Sequence, residues 1–365
     1  MDKNKQIEKN AIKPEPMNLD ENKNENIIMI KDLIKLNNNI SKSEFMDINN
    51  LNKLLSNKAN IFNEKIELLE LINSGSSGVV YTGINRKKQK PKKYAFKFLF
   101  DKNSHNEINI HKKLKHKNIP NIIRIESNQD YEFIEMEYAE LGNIQNLKSE
   151  GFKVKTLSES LILYITGGVL EALKYIHINN KIIHMDIKPQ NILIDSFSMI
   201  KLTDFSVSID YKSKKDFIDL PKNGTSLYMS PEVLKKKRIL VSEASKVDIY
   251  SLGVLLYNLA FNRYPYKLSR ENINDYYQIE KNIDENNLEF PKDSRHSKLF
   301  INFVSNCLNK DIKKRYNIYQ AINDPWIKGY KILLDEKENI YKTKNFLISL
   351  QKDQYIDKIK FIDKY

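Results

Sequence analysis

His184-Met185-Asp186-Ile187-Lys188-Pro189-Gln190-Asn191 is the stretch on which the reading of this chain turns. An Asp, a Lys two residues on and an Asn five residues on supply three tools for moving a phosphoryl group. They are a carboxylate to receive a hydroxyl proton, a cation to balance charge on the phosphate, and an oxygen ligand for a metal. Further on, Asp204-Phe205-Ser206 brings a second carboxylate able to hold a metal between phosphates. Gly224-Thr225 and Ser230-Pro231-Glu232 follow in order.

Together these motifs resemble a eukaryotic protein kinase of the serine/threonine type over roughly residues 66–330. The resemblance implies an α+β, bilobal fold with a small β-rich N-lobe and a larger helical C-lobe. It implies Asp186 as base, Lys188 as charge-balancing cation, and Asn191 and Asp204 as ligands of Mg2+ bound with ATP. Asn73-Ser74-Gly75-Ser76-Ser77-Gly78-Val79-Val80 resembles the glycine-rich phosphate loop, with Asn73 in place of its first glycine. Gly75 and Gly78 keep the close backbone approaches, and Asn is a fair substitute where φ is positive. Alone, an ordinary hairpin turn would read the same way. Lys97 matches the lysine that touches the α- and β-phosphates. Its partner by resemblance is Glu107, only ten residues on, so the helix bearing it must start late, near Ser104. Ser104 and Glu107 also have capping-box spacing, which leaves a simple cap as the other reading. Met136 matches the gatekeeper, Glu137 to Ala139 the adenine hinge, and Asn143 a position just beyond it. Ile72, Val80, Ala95 and Leu193 would form apolar walls. Glu232 should pair with Arg315, and Asp248 should brace the catalytic loop.

The segments around this body are poorer in information. Residues 1–60 hold fourteen Asn and few aromatics, which reads as a mostly disordered extension with a possible short amphipathic helix at Ile27–Leu36. The kinase-like domain is placed at 61–330, with the N-lobe at 61–138 and the C-lobe at 139–330. In the C-lobe, Leu161, Ile165, Val169, Leu173 and Ile176 keep helical periodicity. Residues 331–365 read as a helical tail, with Phe346, Leu350, Ile356, Ile359 and Ile362 as apolar positions. Either extension could carry a regulatory partner. At 41% hydrophobic the chain can bury a real core. Its one cysteine, Cys307, sits in an apolar run and reads as a buried thiol of a reducing compartment. No stretch of about 18 consecutive apolar residues is present, so the expected place is cytoplasmic, or nuclear if Arg86–Lys93 is an address rather than an exposed turn. The net charge of +13 reflects Lys-rich composition throughout. Aromatic–basic interleaving is missing, so nucleic acid is not the expected partner.

Several positions depart from the family pattern. Met185 stands where an arginine usually receives the activating phosphate, and residues 214–224 contain no Ser, Thr or Tyr. With the late helix start, this points to a kinase that needs no phosphate there. Ser206 replaces the glycine of Asp-Phe-Gly and should stiffen that turn. Asn143, Gln190 and Asn258 are neutral where arginine-directed kinases carry acids, so protein substrates need not offer upstream arginine. The rival expectation, an ATP-binding pseudokinase scaffold, draws on Asn73, Met185, Ser206 and the tight Lys97–Glu107 spacing. Against it, all six side chains that react or hold metal are present.

Overall fold

The computed structural model describes residues 66–75, 78–85, 92–99, 105–127, 132–147, 156–266, 275–339, 346, 347, 349 and 350. The expectations for residues 1–60, the basic run 86–91, Ser104 and Ile356, Ile359 and Ile362 lie outside them.

The first lobe is a five-stranded antiparallel sheet in the order β1-β2-β3-β5-β4. Its strands are β1 (Ile66–Gly75), β2 (Gly78–Asn85), β3 (Lys93–Leu99), β4 (Ile122–Ser127) and β5 (Glu132–Glu137). Alternation in β3 explains its place. Phe96 and Phe98 turn to one face and meet Phe133 at 6.2 and 5.6 Å between centroids. Ala95, Lys97 and Leu99 turn to the other. That second face carries a small core of Ala95, Leu99, Ile108, Ile134 and Met136, where α1 (His105–His111) packs. The helix is seven residues long, and Glu107 lies in its first turn, in keeping with the late start that the Lys97–Glu107 spacing requires.

The second lobe is built on α3 (Glu159–Lys174), continued by a π-helical turn at Tyr175–Asn180, and α5 (Ala244–Phe261). The short α2 (Ile144–Leu147) links the lobes, and α4 (Pro231–Leu234), α6 (Tyr276–Glu285), α7 (Lys298–Cys307), α8 (Ile318–Ile322) and α9 (Pro325–Asn339) complete it. Two adjacent glycines weaken α3 as a helix, but they let neighbours touch its backbone. A Cβ on Gly167 would lie 2.2 Å from the Tyr330 ring, and one on Gly168 would lie 2.5 Å from Ile200. The segment Glu159–Asn180 is long and apolar enough to cross a membrane, a length the sequence reading had not assigned to any stretch; 78% of its most apolar window is buried inside the lobe. The last helix, α9, runs across the expected domain end at 330 into the expected helical tail, and its Leu333 is fully buried.

Short two-stranded pairs arrange the loops between the lobes: β6 (Ile182–Ile183) with β9 (Ile209–Asp210), β7 (Ile192–Ile194) with β8 (Ile200–Leu202), and β10 (Phe217–Asp219) with β11 (Arg238–Leu240). Glu232 and Arg315 form the expected buried pair, at 2.6 and 3.0 Å. Arg315 also donates to the carbonyls of Asn309 and Lys246 and lies over the Tyr250 ring, so its buried charge is fully surrounded.

His111 closes α1 against the second lobe. Its Nε2 lies 2.8 Å from the Pro120 carbonyl oxygen, and its ring meets Phe205, which in turn meets His184. Burial pushes its pKa down to about 4. The unfolded chain takes up this proton from about pH 6.5, the folded one only near pH 4. Between those values the unfolded state holds more protons, so stability falls as pH falls. Urea unfolding of wild type and His111→Leu at pH 7 and pH 5 should show the wild type losing about 2 kcal/mol more than the variant on acidification; equal losses would remove His111 from the acid response.

Candidate active site

A cleft of about 910 Å³ lies between the lobes, within the usual range for a small-molecule site. Ile72, Gly78 and Val80 line it from β1 and β2, and Ala95 and Lys97 from β3. Met136, Glu137, Ala139 and Asn143 line the connection, with Leu193 from the second lobe. Asp186, Lys188, Asn191 and Asp204 line the same cavity. Gly75 pairs with Gly78 at the end of the hairpin, and Glu107 reaches the cleft through Lys97.

Glycine is required at Gly78 for a reason the sequence reading did not give. A Cβ there would sit 2.1 Å from the Phe98 carbonyl oxygen, so the close approach is to β3. Asn73 also differs from expectation. It is not among the described positive-φ residues; it sits beside a register shift in the β1–β2 pairing, where one extra residue is absorbed. Its side chain type is therefore not explained by a left-handed backbone.

The electrostatic centre is Lys97. Its Nζ lies 2.7 and 2.8 Å from the two Glu107 oxygens and 2.8 Å from Asp204 Oδ1. Burial works against the charge on Lys97, but the carboxylates of Asp204 and Glu107 outweigh it and raise its pKa. For Asp204, burial pushes the carboxyl up, while Lys97 and the Ser206 hydroxyl hold it well below the usual range. Ser206 thus ties down its neighbour and removes no donor. The capping alternative for Glu107 does not account for this arrangement; the ion pair does.

Asp186 is held from three sides. Oδ2 lies 2.7 Å from Lys188 Nζ and accepts from Asn191 Nδ2 at 2.9 Å, while Oδ1 accepts from the Thr225 N–H at 2.9 Å. Lys188 also donates to Thr225 Oγ1 at 2.8 Å. Thr225 is the site neighbour that the sequence reading quoted as a landmark without giving it this task. Gly224 makes the approach possible: at φ +106°, a Cβ would meet the Met185 carbonyl oxygen at 2.6 Å. The Asp186 N–H donates to His184 Nδ1, so the imidazole carries its proton on Nε2, which faces the Thr203 carbonyl oxygen at 3.0 Å.

Asp248 braces this loop as expected. Its carboxylate accepts from the backbone N–H groups of His184 and Met185 at 2.7 and 2.9 Å and lies 2.8 Å from His177 Nε2. Burial pushes Asp248 up, and these partners reverse the shift, leaving its pKa lowered.

The donor set suits a hard cation. Asn191 spends its Nδ2 on the carbonyl and carboxylate of Asp186, so its remaining side-chain ligand atom is an oxygen. Asp204 is held as a carboxylate. Among the described residues no cluster of three or more His, Cys, Asp or Glu could hold a metal. Two protein oxygens alone fit a cation that completes its shell with phosphate and water. One cleft residue, Leu347, comes from beyond α9 and was missed; no periodicity in the sequence says where that segment lands.

Residues 66–327 match the protein kinase domain family. Among similar proteins, serine/threonine-protein kinase TIO of Arabidopsis thaliana is 32% identical over 75% of this chain and 20% of its own length. Serine/threonine-protein kinase 36 of Pongo abelii is 30% identical over 75% of this chain and 20% of its own. The serine/threonine-protein kinase stk11 homolog of Dictyostelium discoideum is 32% identical over 61% of this chain and 37% of its own. The chain thus spans about a fifth of the length of the first two relatives. With the family's lysine, carboxylates and amide gathered in one cleft and the match covering most of the chain, this protein belongs to the protein kinase family.

Proposed function

We propose that this domain is an active serine/threonine protein kinase that uses ATP with Mg2+ and works without phosphate on the segment between Asp204 and Glu232. The observation that carries the reading is the position of Lys97 Nζ, bonded to both Glu107 and Asp204 in a cleft shared with Asp186 and Asn191. Asn191 and Asp204 would hold Mg2+, which supplies charge neutralisation at the phosphates when bound. Lys97 binds and orients the phosphates from the roof side. Asp186 accepts the proton of the substrate hydroxyl, and Lys188 offsets the negative charge that collects beside it. The Thr225 N–H and Asn191 fix the carboxylate that must face that hydroxyl.

Independence from phosphorylation is supported by what else orders the segment. Met185 is buried at 4% exposure and can attract no phosphate. Ile218 and Leu220 are buried at 1% and 4%, and β10 pairs with β11. The Tyr211 hydroxyl donates to the His177 carbonyl. From the other side, Asn106 on α1 donates to the Ser208 carbonyl, and Lys113 pairs with Asp210 at 3.0 Å. Apolar anchors and backbone pairing therefore do what a phosphate–arginine contact does elsewhere. The pseudokinase reading loses ground because Asn73, Met185 and Ser206 change neither the ion pair nor the oxygen donors. Amides at Asn143 and Gln190 on the cleft wall favour acceptor sites without upstream arginine.

Radiolabelled phosphate transfer to a mixed peptide pool should require Mg2+. It should fall about 10²–10⁴-fold in kcat for Asp186→Asn and be abolished in Lys97→Met; unchanged transfer in both variants would sink the assignment. Phosphatase-treated protein should keep its activity, whereas loss on treatment and recovery on rephosphorylation would end the claim of independence. A positional peptide array should show no enrichment for arginine before the acceptor, and strong selection for it would contradict the reading of Asn143, Gln190 and Asn258.

A further inference from the structure

Every other described residue lining the cleft lies between Glu70 and Thr225; Leu347 arrives from the far end of the chain. It is buried at 2% exposure, between two anchors, Phe346 at 1% and Leu350 at 0%. Phe346 meets Tyr164 of α3 edge-on, with centroids 5.1 Å apart, and Tyr164 is itself fixed by its hydroxyl bond to the Ser198 carbonyl at 2.8 Å. At the other end, the Leu350 carbonyl accepts a hydrogen bond from Ser158 Oγ at 2.7 Å. Ser158 also accepts from the Leu161 N–H as the cap of α3, so one hydroxyl closes the helix and clamps the segment. Within the segment, Ser349 Oγ donates back to the Phe346 carbonyl at 2.6 Å. The spacing 346, 347, 350 puts three apolar side chains on one side of a single turn.

We propose that Leu347 is part of the nucleotide-binding wall, so that filling the cleft and seating the segment that carries Leu347 favour one another. The inference rests on the reading of the cleft as an ATP site. The physical link is mass action. A wall residue that is present only when its segment is seated lowers the apparent affinity by the unseated fraction, and a ligand that touches the wall shifts the segment toward the seated state. Among the described residues the segment is held by the Tyr164 ring, by burial of Phe346, Leu347 and Leu350 in the core of the second lobe, and by the Ser158 hydroxyl. A ligand contact with Leu347 adds to these and shifts the balance toward the seated state.

Binding of ATP carrying a fluorescent ribose label, with Mg2+, to the full chain tests this. Leu347→Ala should bind about fivefold more weakly, as loss of an apolar contact of this size implies, and KM for ATP should rise in step while kcat holds. Phe346→Ala should weaken binding similarly, and the double variant should bind no worse than Phe346→Ala alone, because both remove the same wall. In wild type, amide hydrogen exchange across residues 346–350 should slow on adding ATP. That measurement needs no substitution and decides the matter if a variant fails to fold. Unchanged affinity in the variants, or unchanged exchange in a wild type that binds the probe, overturns the role of Leu347 and leaves the ATP site standing. A wild type that binds no nucleotide overturns the ATP reading itself.

Discussion

A lysine ammonium buried at 5% exposure must be matched by carboxylates, and in this fold they come from two separate places. Lys97 lies on β3, and its partners are Glu107 on α1 and Asp204 on the loop after β8. Glu107 balances the charge within the first lobe, and Asp204 ties that pair to the second. Removing Lys97 would leave two carboxylates facing each other without their cation, a loss of roughly 3–5 kcal/mol when such buried pairs are broken. The contact therefore fixes the helix against the sheet and both against the second lobe. The same atoms are those that a triphosphate would need, so the requirement for burial and the requirement for catalysis select one geometry.

That constraint also explains how so short a helix suffices. With ten residues between Lys97 and Glu107, α1 has room for two turns. Other described contacts lie at both ends and just beyond: Asn106 near its start on Ser208, His111 at its end against Pro120 and Phe205, and Lys113 two residues further on with Asp210. Residues 209–220, which follow directly on Ser208, are ordered by strand pairs and buried aliphatics.

Much of the site was legible because its chemistry is tied to short, fixed spacings. Asp186, Lys188 and Asn191 lie within six residues, and their roles follow from residue type. The late start of α1 was readable from one distance along the chain. Two tertiary ion-pair and bracing partnerships, Glu232 with Arg315 and Asp248 with the loop, were readable through resemblance. Other features were not, for reasons of geometry. Asn73 was read as a substitute suited to positive φ because glycine is usual there, yet it pairs with β2 beside a register shift and is not among the described positive-φ residues. Gly78 is required by β3, which local sequence cannot show. That one helix, α9, spans Trp326 and the first residues of the expected tail depends on its packing, which local sequence does not show. Leu347 depends wholly on where a distant segment folds back.

Met185 and Asp204 show how the parts depend on one another. Neither is glycine, yet their φ values are 72° and 67°. A left-handed backbone at such residues costs about 1–3 kcal/mol each and persists only where surrounding contacts impose it. For Met185, Asp248 takes its N–H, and Gly224 packs so closely on its carbonyl that no side chain fits between. For Asp204, Lys97 holds the carboxylate on one side and Ser206 on the other. The strain is placed one residue before Asp186, the proposed base, and at Asp204, the proposed metal ligand. Turning either backbone back to the right-handed region would relax that residue, but it would swing Asp186 or Asp204 away from its partners. Methionine at 185 fits this account: the position is specified by its backbone, and an unbranched side chain that can be buried is enough to fill it.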